Sequence, residues 1–217
     1  MEKINILGLG PGNKKYILPI TKEYIENSDI LIGGRRNIES LGVLTEGKEI
    51  RYIYRYLDQL SIYINENRDK RISLIVSGDT GFYSMVPFMK KHFEIEDLNI
   101  ISGISSMQYM FSTIGFSYEN TFIASVHGRE CDYITPIKAG KKAGLLTDNK
   151  TTPQVIAQTL LENQIKGTIF VGERLSYDDE RITTMSLENM ADLKIIFYIN
   201  VVIVIPKRGE DNVSYRR

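Results

Sequence analysis

At 217 residues the chain has room for one large domain or two small ones. With 42% hydrophobic and 25% charged residues it reads as an ordinary soluble globular protein, and its 27 basic and 27 acidic residues cancel, which argues against a bulk affinity for nucleic acid or an anionic membrane. A single cysteine, Cys131, cannot form an internal disulfide or a multi-thiolate zinc site, and two histidines, His92 and His127, make a histidine-rich metal centre improbable, so no metal site is expected.

Met1 runs into a strand-like segment without a signal-peptide pattern, and no apolar run approaches the roughly 20 residues that span a membrane. A reducing, cytoplasmic setting fits. Ile4 to Gly8 predicts a first strand, ending in the loop Gly8-Leu9-Gly10-Pro11-Gly12. A helix through Ile20, Tyr24 and Ile25 follows. Asp29 to Gly33 predicts a second strand, ending in Gly33-Gly34-Arg35-Arg36. Glu49 to Tyr54 predicts a third, despite its charges. Leu57 to Asn65 reads as an amphipathic helix with Leu57, Leu60 and Ile64 on one face.

The most informative stretch is Arg71 to Met85. It opens with the apolar run Ile72 to Val76 and breaks into Ser77-Gly78-Asp79-Thr80-Gly81. Phe82, Met85, Val86, Met89 and Phe93 then recur at helical spacing. The order predicts a buried strand, a tight loop and a helix from about Phe82, capped by Asp79 or Thr80. Such a loop lies at the carboxyl end of a strand, where open α/β sheets place their ligands. The plainer reading is an ordinary strand-to-helix turn. Leu98 to Ile101 predicts another strand, then Ser102-Gly103-Ile104-Ser105-Ser106-Met107 and a helix bearing Met107, Met110, Phe111 and Ile114.

This alternation predicts βαβ units and a mostly parallel sheet. The polar break Gly115 to Asn120 suggests two α/β domains, 1–116 and 117–217. In the second, Thr121 to Ala124, Ala143 to Thr147 and Gly167 to Val171 predict strands. Thr152-Pro153 opens a helix, because proline is harmless in a first turn. Glu180 to Met185 and Phe197 to Ile205 predict two further strands, expected as antiparallel neighbours. The polar tail from Pro206 is expected to fray.

Gly8-x-Gly10-x-Gly12 invites a nucleotide reading and fails two stricter patterns. The dinucleotide fingerprint needs glycine at 13, where Asn13 stands; the phosphate-binding loop also needs a hydroxyl at 15, where Lys15 stands. Pro11 removes a backbone donor that a phosphate cradle uses. A tight turn is the simpler reading. Arg35 and Arg36 after Gly33-Gly34, and Arg129 after Gly128, stand where bidentate grips on carboxylates are built, although a surface charge is commoner. His127, between Val126 and Gly128, reads as a surface or structural histidine or as a proton acceptor.

Taken together, Ile6 to Gly12, Val76-Ser-Gly-Asp-Thr-Gly81 and Gly103-Ile-Ser-Ser106 resemble the tetrapyrrole methylase family, the class III S-adenosylmethionine methyltransferases. The resemblance covers nearly the whole chain. Within the family, Gly33-Gly-Arg-Arg-Asn37, Ser77 to Ser84 and Ser125-Val-His-Gly-Arg129 are similar to the CbiE type, which methylates C-5 of (cobalt-)precorrin-7 in cobalamin biosynthesis. Thr80 stands where the family usually has proline.

The resemblance implies two α/β domains with the donor S-adenosylmethionine, and its product S-adenosylhomocysteine, in the cleft between them, and a homodimer. It implies donor contacts from Leu9, Gly78, Asp79, Phe82, Ser105, Ser106, Leu146, Gly172, Glu173 and Asn200. It implies that the corrinoid substrate lies by Gly10, Pro11 and Gly12, with Arg35, Arg36, His127 and Arg129 as contacts. His127 is the candidate proton acceptor. Two-function relatives carry a further domain for C-15 methylation and decarboxylation; here a separate C-15 enzyme is the expected functional partner. Three alternatives stand beside this reading: a methylase of the same fold with another position or substrate, a catalytically silent corrinoid binder, and a dinucleotide oxidoreductase, the last disfavoured by Asn13.

Overall fold

The computed structural model describes residues 2–53 and 57–207. By its contacts the chain divides between Ser106 and Met107 into two compact units.

The first unit is a five-stranded parallel sheet in the order β3-β2-β4-β1-β5, made of β1 (Ile4–Gly8), β2 (Ile30–Gly33), β3 (Glu49–Tyr52), β4 (Ile72–Val76) and β5 (Leu98–Ile101). The central strands β1, β2 and β4 are buried at every position, as expected of parallel strands covered on both faces. Strand alternation sorts their side chains. Ile6, Ile32, Leu74 and Val76 pack with Leu60 and Ile64 of α3 (Asp58–Glu66) and Met89 of α4 (Val86–His92). Leu7, Leu31 and Ile75 face the other way, against Ile25 of α1 (Pro19–Glu26) and Ile38 and Leu41 of α2 (Arg35–Leu41). Burial of each such side chain contributes about 1.5–3 kcal/mol.

The second unit is a mixed sheet in the order β6-β7-β10-β8-β9, from β6 (Phe122–Ser125), β7 (Ala143–Leu146), β8 (Gly167–Glu173), β9 (Arg181–Ser186) and β10 (Asn200–Pro206). Only β6 and β7 run parallel. One face packs on α6 (Ile134–Lys138), α7 (Pro153–Glu162) and α8 (Leu187–Ala191) through Ile137, Ile156, Leu160, Leu187 and Met190. Thr152 caps α7 by accepting from Val155 N, with Pro153 in the first turn. The other face receives α5 (Ser106–Thr113). A Cβ on Gly144 would lie 2.5 Å from Met107 Sδ, and one on Gly172 would lie 2.6 Å from Met110 Sδ, so glycine at both positions admits this helix.

Three expectations need correction. By contacts the dividing point falls after Ser106, the first residue of α5, whereas the sequence reading put it after residue 116, because Met107, Met110 and Phe111 are buried on α5 and the two methionines pack on the second sheet. β9 and β10 are not neighbours; β8 lies between them. The apolar strand β10, buried at six of its seven positions, belongs in the sheet centre, and the half-polar β9 forms the edge. Finally, α4 begins at Val86 with Met85 as its cap residue, so neither Asp79 nor Thr80 caps it. Tyr54, at the end of the expected third strand, and the tail beyond Lys207 lie outside the described residues.

Candidate functional site

In the first unit the glycine loops gather at the carboxyl ends of β1, β4 and β5. Leu9 N donates to Val76 O at 2.9 Å, and Gly10 and Gly78 exchange two backbone hydrogen bonds of 3.1 and 2.9 Å. The third loop packs on this pair. A Cβ on Gly8 would sit 2.6 Å from Gly103 N and 2.7 Å from Gly78 O, so glycine is required at 8 for the loops to touch. The glycines at 8 and 103 therefore serve loop-on-loop packing.

Asp79 locks the arrangement. One carboxylate oxygen accepts from Gly81 N at 2.9 Å, and the other accepts from Gly103 N at 3.1 Å, which ties the loop after β4 to the loop after β5. Ser105 and Thr80 are buried beside them, Leu9 is buried, and Phe82 is half-buried with its ring edge-on to Tyr83 at 5.0 Å. Tyr83 holds φ +49°, a left-handed conformation that costs a non-glycine residue of the order of 1 kcal/mol. Leu9, Gly78, Asp79 and Ser105 are thus brought together, with Ser106 next in the chain. Gly10 is inside this floor, and Pro11 and Gly12 lead away from it half-buried.

Arg35 and Arg36 open α2, after β2, and both are exposed. The Arg35 guanidinium lies 4.5 Å from the Tyr52 ring centroid and pairs with Glu39 at 3.4 Å.

In the second unit the expected positions fall on two adjacent rows at one end of the sheet. Ser125 pairs with Leu146, Leu146 with Val201, and Val201 with Gly172, while Asn200 pairs with Glu173. Glu173 is only 3% exposed, and both its oxygens are engaged: one accepts from Tyr198 N at 3.0 Å, the other from Arg181 Nε at 2.7 Å. Asn200 is equally committed, donating to Tyr198 O at 2.6 Å and accepting from Thr147 Oγ1 at 2.7 Å.

His127 follows β6 at this end of the sheet. It is exposed, and its Nδ1 lies 3.2 Å from Thr147 O. The turn behind it is held by Asp148, which accepts from Gly128 N at 2.7 Å, Thr151 N at 2.7 Å and Lys150 N at 2.8 Å. These amides, Thr151's foremost, hold the Asp148 carboxyl down to about 2. Arg129 is exposed two residues beyond His127. Burial pushes the Cys131 thiol up, with Asp132 adding to the effect, which disfavours a thiolate nucleophile there. Among the described residues no cluster of histidine, cysteine and carboxylate side chains has metal-holding geometry, and no helix is long and apolar enough to cross a membrane.

Sequence reasoning missed Thr147 and Asp148. The run Thr147-Asp148-Asn149 directly after a strand was the available signal, since aspartate at such a point accepts from backbone amides two and three residues on.

The parallel first sheet, with braced polar loops at its strand ends, defines an α/β enzyme scaffold of the small-molecule-binding kind. More narrowly, the chain belongs to the tetrapyrrole (corrin/porphyrin) methylases, whose family model matches residues 3–191. It is 29% identical over 208 residues to the cobalt-precorrin-7 C(5)-methyltransferase of Salmonella typhimurium, covering 94% of this chain and 100% of that one. It is 31% identical over 197 residues to the probable cobalt-precorrin-7 C(5)-methyltransferase of Methanocaldococcus jannaschii, covering 87% and 92%. Among solved structures, the precorrin-6Y methylase (cbiE) of Archaeoglobus fulgidus superposes with a TM-score of 0.75 at 19% identity, covering 95% of this chain and 99% of that one.

Proposed function

We propose that this protein is an S-adenosylmethionine-dependent C-methyltransferase that methylates C-5 of (cobalt-)precorrin-7 in cobalamin biosynthesis. The observation that carries the reading is the Asp79 brace, which ties the loops after β4 and β5 together beside the loop after β1 that Gly10 and Gly78 pair, in a chain matching C-5 methyltransferases along almost its full length.

The residues fit a sulfonium donor. In the first unit, Gly78 holds φ +66°, and a Cβ there would meet nothing closer than Ser105 Cα at 3.6 Å, so the backbone beside Asp79 is open to a ligand. Leu9, Phe82, Ser105 and Ser106 supply apolar and hydroxyl contacts around it. In the second unit, Leu146, Gly172, Glu173 and Asn200 share one end of the sheet. Glu173 and Asn200 act through the backbone they position, because their side chains are already engaged. The donor, when bound, supplies an activated methyl group. The protein's task is to orient the acceptor carbon, exclude water and take up one proton. Orientation of this sort supplies about 7 kcal/mol or more in good intramolecular models.

Gly10, Pro11, Gly12, Arg35, Arg36 and Arg129 are the proposed corrinoid contacts, the arginines pairing with its carboxylates. His127 is the proposed proton acceptor. A homodimer, a cytoplasmic setting and a separate C-15 methylase/decarboxylase as functional partner belong to the same proposal. The run before β10, where Ile196 and Ile199 are 82% and 77% exposed, is the apolar surface offered for the dimer contact. Sedimentation of the parent beside Ile196→Glu tests it: a dimer in both would place the interface elsewhere.

Calorimetry with S-adenosylmethionine and S-adenosylhomocysteine, with a nicotinamide dinucleotide as control, tests the donor assignment. Binding of the first two alone supports it. Binding of neither, repeated with corrinoid present, sinks it and favours a catalytically silent corrinoid binder.

A further inference from the structure

We infer that Asp148 and the Thr147 carbonyl are positioning groups that hold His127 as its Nδ1–H tautomer, so that Nε2 is presented as a proton acceptor. The inference rests on the methyl-transfer reading for its purpose, but its geometry stands on the second unit alone.

A neutral imidazole carries one proton, and the partner of one ring nitrogen decides which nitrogen holds it. His127 Nδ1 faces a backbone carbonyl, Thr147 O, at 3.2 Å. A carbonyl can only accept, so a hydrogen bond here requires the proton on Nδ1 and leaves the lone pair on Nε2. The carbonyl is itself held in place. Thr147 is buried, and its single hydroxyl proton lies between two acceptors of one residue, Asn200 Oδ1 at 2.7 Å and the more distant Asn200 O at 3.1 Å. The backbone that carries His127 is fixed on both sides: Val126 N donates to Leu146 O at 2.9 Å, and Gly128 N donates to Asp148 Oδ2 at 2.7 Å. Gly128 takes φ +63°, a conformation that lets the chain turn immediately after the histidine. Asp148 is anchored by Lys150 N and Thr151 N on its other oxygen, so the carboxylate acts as a staple between the β6 and β7 ends.

This arrangement matches the proton balance of the proposed reaction. Replacing a ring C–H by C–CH3 breaks the bond between methyl and sulfur, with its electron pair left on sulfur. The new carbon–carbon bond forms from a ring π pair. The C–H bond returns its pair to the ring, and its proton leaves for Nε2 of His127 and then water. An acceptor with its lone pair already on Nε2 needs no prior tautomer exchange.

Long-range proton–nitrogen correlation spectra of the full-length protein, with His127→Gln to assign the signal, read the tautomer directly. The parent should show neutral His127 protonated on Nδ1. Asp148→Asn keeps the side-chain shape but sets an amide NH2 against Gly128 N–H or against the other two amides. It should mix the tautomers and lower kcat for corrinoid methylation about tenfold or more, with the donor KM unchanged; His127→Gln should lose about a hundredfold. If Asp148→Asn does not fold, Gly128→Ala strains the same turn without a clash, since a Cβ there meets no atom within 4 Å, and should mix the tautomers likewise. A parent protonated on Nε2, or a folded Asp148→Asn with unchanged spectrum and kcat, overturns the inference. A parent with the expected tautomer, lost in the variant, but with no methylated corrinoid formed supports this geometry and sinks the methylation reading instead.

Discussion

Replacing Asp79 by Asn separates the structural part of the site from its chemistry. The native carboxylate accepts two backbone N–H groups, Gly81's at 2.9 Å and Gly103's at 3.1 Å. The amide of Asn is almost the same shape but has one acceptor oxygen. One bond survives in weaker, neutral form; the other N–H meets an NH2 group. Hydrogen bonds to charged groups are worth roughly 1.5–3 kcal/mol, and because water reaches this half-buried site part of the loss is recovered, so Asp79→Asn should cost about 1–2 kcal/mol. The loop after β5 then has to be ordered when the donor binds. An ordering cost of about 1.4 kcal/mol weakens the apparent Kd about tenfold. Urea unfolding and calorimetric titration with S-adenosylhomocysteine measure the two effects separately. Unchanged stability would refute the brace. Reduced stability with unchanged affinity would refute its coupling to the donor surface.

Gly8→Ala forces a Cβ to within 2.6 Å of Gly103 N, so it should destabilise by about 1–3 kcal/mol and weaken donor binding, as read by urea midpoint and calorimetry. Arg35→Ala and Arg129→Ala should weaken corrinoid binding and leave the donor Kd unchanged; corrinoid binding as tight as the parent's by absorbance titration would remove them as carboxylate clamps. Stability should also fall in acid. Hydrogen bonding from Arg71 lowers the Asp29 carboxyl from 3.8 to about 2, so its contribution is complete above about pH 4 and lost as pH falls toward 2. Melting temperatures measured from pH 6 down to about 2.5 should decline less steeply in Asp29→Asn than in the parent.

Strands β1, β2, β4 and β5 of the first sheet were legible because each is a mostly apolar run ending at or just before a glycine, and parallel strands need no alternation; β3, Glu-Ile-Arg-Tyr, lacks that signature and was read against its charges. Helix α7 was legible from Thr152-Pro153 and its apolar spacing. Helix α2 was not, because Gly34 offers no capping side chain and only Ile38 and Leu41 mark its buried face. Helix α8 carried a usable signal, Ser186 accepting from Asn189 N, in a segment too short to show a period. The start of α4 was misplaced because Phe82 and Met85 fit the helical spacing, while the backbone at Tyr83 is left-handed. Strand order in the second unit depends on which strand can be buried on both sides, which places β10 at the centre and β9 at the edge.

At the site, the motif residues were readable and their work was not. Asp79 stood out in the sequence as a cap or a ligand contact; in the fold its carboxylate ties two loops together. Glu173 stood out as a donor contact; its side chain is engaged by Arg181 and Tyr198, partners eight and 25 positions away. Long-range pairings of this kind arise from sheet register, which no local pattern encodes.

The central claim is the position at which the methyl group arrives. Incubating the protein with (cobalt-)precorrin-7 and S-adenosylmethionine labelled with carbon-13 in its methyl group, then recording carbon spectra of the purified corrinoid, reads that position directly. The account predicts a single labelled methyl, bonded to C-5. A label at any other ring carbon, or no label in the presence of bound donor and corrinoid, would contradict it.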